Sequence, residues 1–157
     1  MIATKNIEQK MSDKTNELNL ELNPKQTIAF NYMVQGKNVF LTGPGGTGKS
    51  AIIKIFKKRY NNSKIIAMTS TTGTSALLLN GTTLHSYLGI GTGNDNIQKL
   101  VDKITGWKWL RERWCNLKCL IVDEISMLDP DLFDKLEHIA RIIRKNSIAF
   151  GGIQLIL

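Results

Sequence analysis

The sequence predicts an α/β fold, a mainly parallel sheet with helices on both faces. Three observations predict it. The stretch Gly43-Pro44-Gly45-Gly46-Thr47-Gly48-Lys49-Ser50 fits the phosphate-loop pattern G-x-x-x-x-G-K-[ST] and lies between a β-prone run and an amphipathic helix. Cys119 to Val122 is a second apolar run, and Asp123 and Glu124 emerge at its carboxyl end, where such a sheet meets its ligand. Between these two stretches, strand-like and helix-like patterns alternate, as in a chain built from βα units.

The chain has 157 residues, enough for about one domain with a single core. No apolar run approaches the roughly 18 residues of a membrane span, and the polar stretch from Met1 to Asn19 lacks a signal-peptide core. An intracellular protein with no membrane partner is therefore expected. The formal charge of +8, from 21 basic and 13 acidic residues, suits a polyanionic partner, although nucleotide binding accounts for some of it. Cys115 and Cys119 have no companion pair at zinc spacing and are read as reduced thiols, Cys119 within a strand.

Residues 1–20 show no period of either kind and are expected to form a flexible leader ahead of one domain over residues 21–157. The first helix starts with Asn23 as cap, Pro24 at its first position and Gln26 as the capping-box partner. Ile28, Ala29, Tyr32 and Met33 are its predicted apolar face, and Gly36 is its stop. A glutamine just ahead of a phosphate loop can also read an adenine edge, because its amide both donates and accepts. Asn38 to Thr42 reads as a buried strand leading into the loop.

The loop's chemistry accounts for its residue types. Gly43, Gly45, Gly46 and Gly48 let backbone N–H groups turn toward phosphate oxygens, with Pro44 and Thr47 at variable positions. The following helix adds a partial positive charge at its N-terminus. Lys49 can reach the β- and γ-phosphates, and the Ser50 hydroxyl can ligate Mg²⁺. Ile52, Ile55 and Phe56 supply that helix's apolar face.

Lys64 to Thr69 reads as the next strand. It runs into the hydroxyl-rich stretch Ser70-Thr71-Thr72-Gly73-Thr74-Ser75, which either presents hydroxyls to a ligand or caps a helix through Thr71 or Thr72. His85 lies in Gly81-Thr82-Thr83-Leu84-His85-Ser86, where a lone histidine is more often a structural hydrogen bonder than a catalyst. Between Gly106 and Trp114 aromatic and basic residues mix, as in surfaces that stack bases. Trp107, Leu110 and Trp114 are also spaced as one helix face, so at least two of the three tryptophans are expected in the core.

At the end of the Cys119–Val122 strand, Asp123 is placed to help hold Mg²⁺ and Glu124 to polarise an attacking water as general base. Asp129 caps a helix that has Pro130 at its first position. Its buried face is predicted to hold Leu132, Phe133, Leu136, Ile139, Ala140 and Ile143. From Phe150 to Leu157 a further buried strand begins, and an end on bare apolar residues is expected of a chain that continues.

Together these residues resemble the first RecA-like domain of the Pif-one family of superfamily-1 DNA helicases, from about Leu22 to Leu157. The most specific stretches are Gly81 to Ser86, Val122-Asp123-Glu124-Ile125-Ser126-Met127 and Phe150-Gly151-Gly152-Ile153-Gln154-Leu155. The resemblance implies an ATP-dependent enzyme that uses Mg²⁺ and unwinds DNA from five-prime to three-prime in repair, recombination and telomere maintenance. In a eukaryote it would be nuclear. It implies that Gln26 contacts adenine, that Gly48, Lys49 and Ser50 hold phosphate and metal, and that Asp123 and Glu124 complete the hydrolytic site. It also places Thr69, Ser70, Thr71, Thr72 and Gly73, with Thr83, His85 and Ser86, along a track for single-stranded DNA.

The family pattern continues beyond Leu157 into a Gly-Asp segment, a second RecA-like domain and a transition-state arginine. This chain is expected to be the N-terminal part of such a motor, its partner the missing C-terminal half. Without that arginine, hydrolysis would be slower by roughly 10³–10⁵. A stand-alone ATP-binding module, a decayed helicase copy and a different phosphate-loop enzyme are the alternatives. The Gly81–Ser86 stretch argues against the last.

Overall fold

A computed structural model of the protein describes residues 22–60 and 65–157. The expected leader over residues 1–20 and the predicted strand start at Lys64 fall outside the described residues.

Four parallel strands form the sheet: β1 (Ile66–Ser70), β2 (Thr82–Thr83), β3 (Cys119–Asp123) and β4 (Gln154–Ile156), in the order β2-β1-β3-β4. The register runs from Ile66 opposite Cys119 to Ser70 opposite Asp123, so the hydroxyl-rich stretch and the two carboxylates leave the sheet at the same end. Beyond β4 the chain ahead of the phosphate loop adds one parallel bridge, Val39 to Ile156. The Val39 N–H donates to Leu155 O at 2.9 Å and the Leu41 N–H to Leu157 O at 2.6 Å.

This bridge corrects the expectation of a buried strand over Asn38 to Thr42. The segment borders β4 on one side, and no described strand pairs with it on the other. Val39 and Leu41 are therefore half-buried, and Phe40 is 65% exposed.

Both faces of the sheet are covered, as its alternation requires. Along β3, Cys119 and Ile121 point into one apolar cluster and Leu120 and Val122 into the other. The first cluster is completed by helices α1 (Pro24–Val34) and α2 (Lys49–Arg59), through Phe30, Met33, Ile52, Ile53, Ile55 and Phe56. The second is roofed by the short α4 (Leu84–Leu88), then α5 (Ile97–Gly106), α6 (Lys108–Asn116) and α7 (Pro130–Arg144). Helix α3 (Gly73–Leu78) follows β1 and is capped by Thr72, whose hydroxyl accepts from the Ser75 N–H at 3.3 Å.

Helix α1 has the expected capping box, with Asn23 and Gln26 each accepting the other's backbone N–H at 2.9 Å, and Gly36 in the left-handed region beyond its end. Its buried face is rotated from the predicted one. Phe30 and Met33 are buried, while Ile28 and Tyr32 are exposed, because the helix docks on α2 through an edge-on contact of Phe30 with Phe56 at 6.5 Å. Helix α7 buries Leu132, Leu136, Ile139, Ala140 and Ile143 as predicted, with Phe133 partly buried against Phe150.

The tryptophans depart from expectation. Trp114 is buried, its indole N–H donating to Leu88 O at 3.0 Å, but Trp107 and Trp109 are 59% and 54% exposed. Trp107 leaves the helical face because α5 stops at Gly106 and the chain takes an extended step there before α6 begins.

The turn into β4, Ala149–Gly152, is held by two side chains of α7, and the Glu137 carboxylate accepts the Phe150 N–H at 3.3 Å. Arg144 donates through Nε to Gly151 O at 2.6 Å, and through one terminal nitrogen to Trp114 O, Cys115 O and Leu117 O at 2.6, 2.8 and 3.0 Å. Gly151 sits at φ +59°, and a Cβ there would lie 2.7 Å from Ala140 O. Only glycine allows the turn to approach α7 this closely.

Candidate functional site

The phosphate loop bends from Val39–Leu41 into α2. Gly46 and Gly48 take φ of +76° and +83°, the region that glycine enters without a steric penalty. Within the loop the Thr47 hydroxyl donates to Pro44 O at 2.9 Å, and Lys49 Nζ donates to Gly43 O at 2.8 Å and Pro44 O at 3.0 Å. The lysine thus lies along the inside of the bend. Ser50 follows it in the first turn of α2, where helix N–H groups have no intrahelical acceptor.

Gln26 joins this loop to α1. Its Oε1 serves the capping box, and its Nε2 donates to Thr47 O at 3.1 Å. A Cβ on Gly48 would lie 2.6 Å from that nitrogen, so glycine at 48 is needed for the approach as well as for the turn. One N–H and one lone pair of the amide remain for an adenine edge. Gln26 lines a cleft of about 420 Å³ with Lys25, Ala29, Phe40, Pro44 and Thr47.

On the other side of the loop a cleft of about 340 Å³ brings Gly43, Gly45 and Lys49 together with Asp123 and Glu124. Its apolar wall is Phe40, Leu41, Ile53, Ile125 and Leu157. The two motifs are 73 residues or more apart in sequence, and β4 alone separates their strands. Glu124 adopts φ +56°, ψ +41°, a conformation that costs a non-glycine residue of order 1 kcal/mol and must be held by its surroundings. The Thr71 hydroxyl supplies one such hold, donating to Glu124 O at 3.1 Å.

Asp123 lines this cleft and Ser50 follows Lys49 in α2, and oxygens of these kinds suit Mg²⁺. Asp123 and the Ser50 hydroxyl are hard donors, too few to enclose an ion, and Mg²⁺ characteristically completes its shell with water and substrate phosphates.

The residues predicted along a DNA track divide into three groups. Thr69 and Ser70 are fully buried, their hydroxyls donating to Ile121 O at 2.6 Å and Asp123 O at 3.2 Å. Their side chains tie β1 to β3, which corrects the expectation that they line a surface. Thr71 and His85 instead line an open cleft of about 390 Å³ with Thr92, Asn94, Met127, Asp129 and Lys135. Thr72 and Thr83 cap α3 and α4, and Gly73 and Ser86 are exposed in the first turns of those helices.

No pattern in the sequence marks Thr92, Asn94, Met127 or Lys135 for a role at this cleft. Lys135 Nζ donates to Gly93 O and Asp95 O at 3.0 and 3.3 Å, fixing the loop that forms one wall. Nothing local in the sequence pairs a lysine on α7 with a loop some 40 residues earlier.

A family model described as PIF1-like helicase matches residues 21–157. Uncharacterized protein 030L of Invertebrate iridescent virus 6 is 52% identical over 144 residues, covering 88% of this chain and 27% of that protein. ATP-dependent DNA helicase PIF1 of Emericella nidulans is 48% identical over 128 residues, 78% of this chain and 17% of that one. Among solved structures, Pif1 helicase from Candida albicans matches with a TM-score of 0.83 at 38% identity, covering 87% of this chain and 32% of its own. Bacteroides Pif1 in complex with ADP-AlF3 and ssDNA matches with a TM-score of 0.72 at 28% identity, covering 88% and 32%. The chain therefore spans less than a third of the length of the curated relatives it matches. The fold is that of the RecA-like domain of those helicases, and with the match running from residue 21 to residue 157 the chain belongs to the PIF1-like helicase family.

Proposed function

We propose that this chain is the ATP-binding N-terminal motor domain of a DNA helicase acting inside the cell. In this reading it binds and hydrolyses ATP with Mg²⁺ to drive five-prime to three-prime unwinding in repair, recombination and telomere maintenance. The observation that carries the reading is the cleft that Lys49 lines together with Asp123 and Glu124. A cation and two carboxylates at the carboxyl end of a parallel sheet suit phosphoryl transfer to water.

In this reading the loop N–H groups and Lys49 hold the β- and γ-phosphates, and Gln26 meets the adenine. Ser50 and Asp123 would hold Mg²⁺, which would supply positive charge against the charge that develops in phosphoryl transfer. Glu124 would orient a water and take its proton. The Thr71–Glu124 hydrogen bond joins the nucleotide cleft to the one lined by His85, where Thr71, Thr72, Gly73, Thr83, His85 and Ser86 would border a single strand. The relative solved with both ADP-AlF3 and ssDNA supports placing both ligands on this fold.

Two substitutions separate these roles. Glu124→Gln should leave Mg-ATP affinity unchanged, while any measurable turnover falls by roughly 10²–10⁴. Asp123→Asn should weaken ATP binding only when Mg²⁺ is present. Isothermal titration with and without EDTA reads the affinities and a phosphate-release assay the turnover, and an Asp123→Asn variant indifferent to Mg²⁺ would remove Asp123 from the metal site.

A further inference from the structure

The aromatic-basic stretch on α6 is not absorbed by the nucleotide cleft, and its geometry is specific. Trp109 stands half-exposed on α6, and one turn on the Arg113 guanidinium lies 4.8 Å from the centroid of its ring. The same guanidinium lies 5.0 Å from the centroid of Tyr87 and donates to Tyr87 O at 2.8 Å. The arginine is thus fixed between two rings, and it fixes the inner face of Trp109 in turn. A surface indole backed by a pinned cation is pre-organised for stacking, because little rotamer freedom remains to be lost.

The surrounding charge indicates the ligand. Helix α6 carries three cations, Lys108, Arg111 and Arg113, against the single carboxylate of Glu112. Such an excess around an exposed indole suits a phosphate backbone carrying an unpaired base. Through Arg113 the indole is tied to Tyr87 of α4, the helix that also carries His85 and Ser86. We propose that Trp109, held by Arg113 against Tyr87, is a stacking platform for a base of single-stranded DNA. It extends the strand-binding surface from α4 onto α6. This rests on the reading of the chain as a DNA-binding motor domain.

The test uses the 157-residue chain and a short oligothymidylate at low salt. Trp107→Phe leaves Trp109 as the exposed indole beside buried Trp114, so the oligonucleotide should quench its fluorescence, and Trp109→Phe should abolish that quenching. Trp109→Ala should weaken binding about tenfold, Trp109→Phe should recover most of the loss, and Mg-ATP affinity should not change. Unchanged oligonucleotide affinity in Trp109→Ala, with loss in His85→Ala or Thr83→Ala, would overturn the platform while leaving the DNA reading intact. The patch would then be assigned to a protein contact. Absence of oligonucleotide binding by the unaltered chain, with Mg-ATP still bound, would overturn both. If Trp109→Ala fails to fold, the quenching measured in Trp107→Phe decides by itself.

Discussion

Thr69 and Thr71 lie two residues apart and do different work. The Thr69 hydroxyl is buried and spent on Ile121 O, while the half-buried Thr71 hydroxyl reaches Glu124 O beside the open cleft. Thr69→Val should therefore lower stability by about 1 kcal/mol in denaturant unfolding and leave DNA affinity unchanged. A Thr69→Val variant of full stability with lost DNA binding would return that residue to the strand surface. A run of small hydroxyl residues carries no mark of which one turns inward, because threonine suits strands, caps and ligand contacts alike. The bend at Gly43–Ser50 was legible from its glycines, and Gly46 and Gly48 do take positive φ ahead of α2. The tryptophans were not. Their spacing fits one helix face, but the break at Trp107 depends on where α5 stops, and only packing decides that.

Among the elements, α1 shows how much a cap decides. Asn23 and Gln26 close the capping box, and Gln26 also grips the loop carbonyl at Thr47. Asn23→Ala should cost about 1 kcal/mol of stability by thermal or denaturant unfolding. Gln26→Ala loses both the box and the grip on the loop, so it should weaken ATP affinity where Asn23→Ala does so less. Equal effects on ATP in the two variants would make the Gln26–Thr47 bond irrelevant to the site. The cap could be read from sequence because its pattern is local. The buried face of α1 could not, since it follows from docking on Phe56, and neither could the half-exposure of Val39–Leu41, which depends on strand order. Strand β3 and helix α7 were legible because their apolar patterns are long and are bounded by Asp123 and by Asp129-Pro130.

At the scale of the whole molecule, strand order brings distant motifs into one cleft: the loop after Leu41 and the carboxylates after Val122 flank β4. The proposed strand surface, in contrast, is the open cleft lined by Thr71 and His85. Two or three phosphate contacts would give a slope of log affinity against log salt of about −1.5 to −2 for single-stranded DNA. A slope near zero in a filter-binding or anisotropy titration would show that the +8 charge of the chain is not directed at phosphates. The central claim is that the cleft between the loop and Asp123–Glu124 is a Mg-ATP site, and calorimetric titration of ATP into the chain and into Lys49→Ala tests it most directly. Removing a charge-assisted contact to phosphate costs about 1.5–3 kcal/mol, so Lys49→Ala should bind ATP at least tenfold more weakly with its fold intact. Equal ATP affinity in the two proteins would contradict the claim.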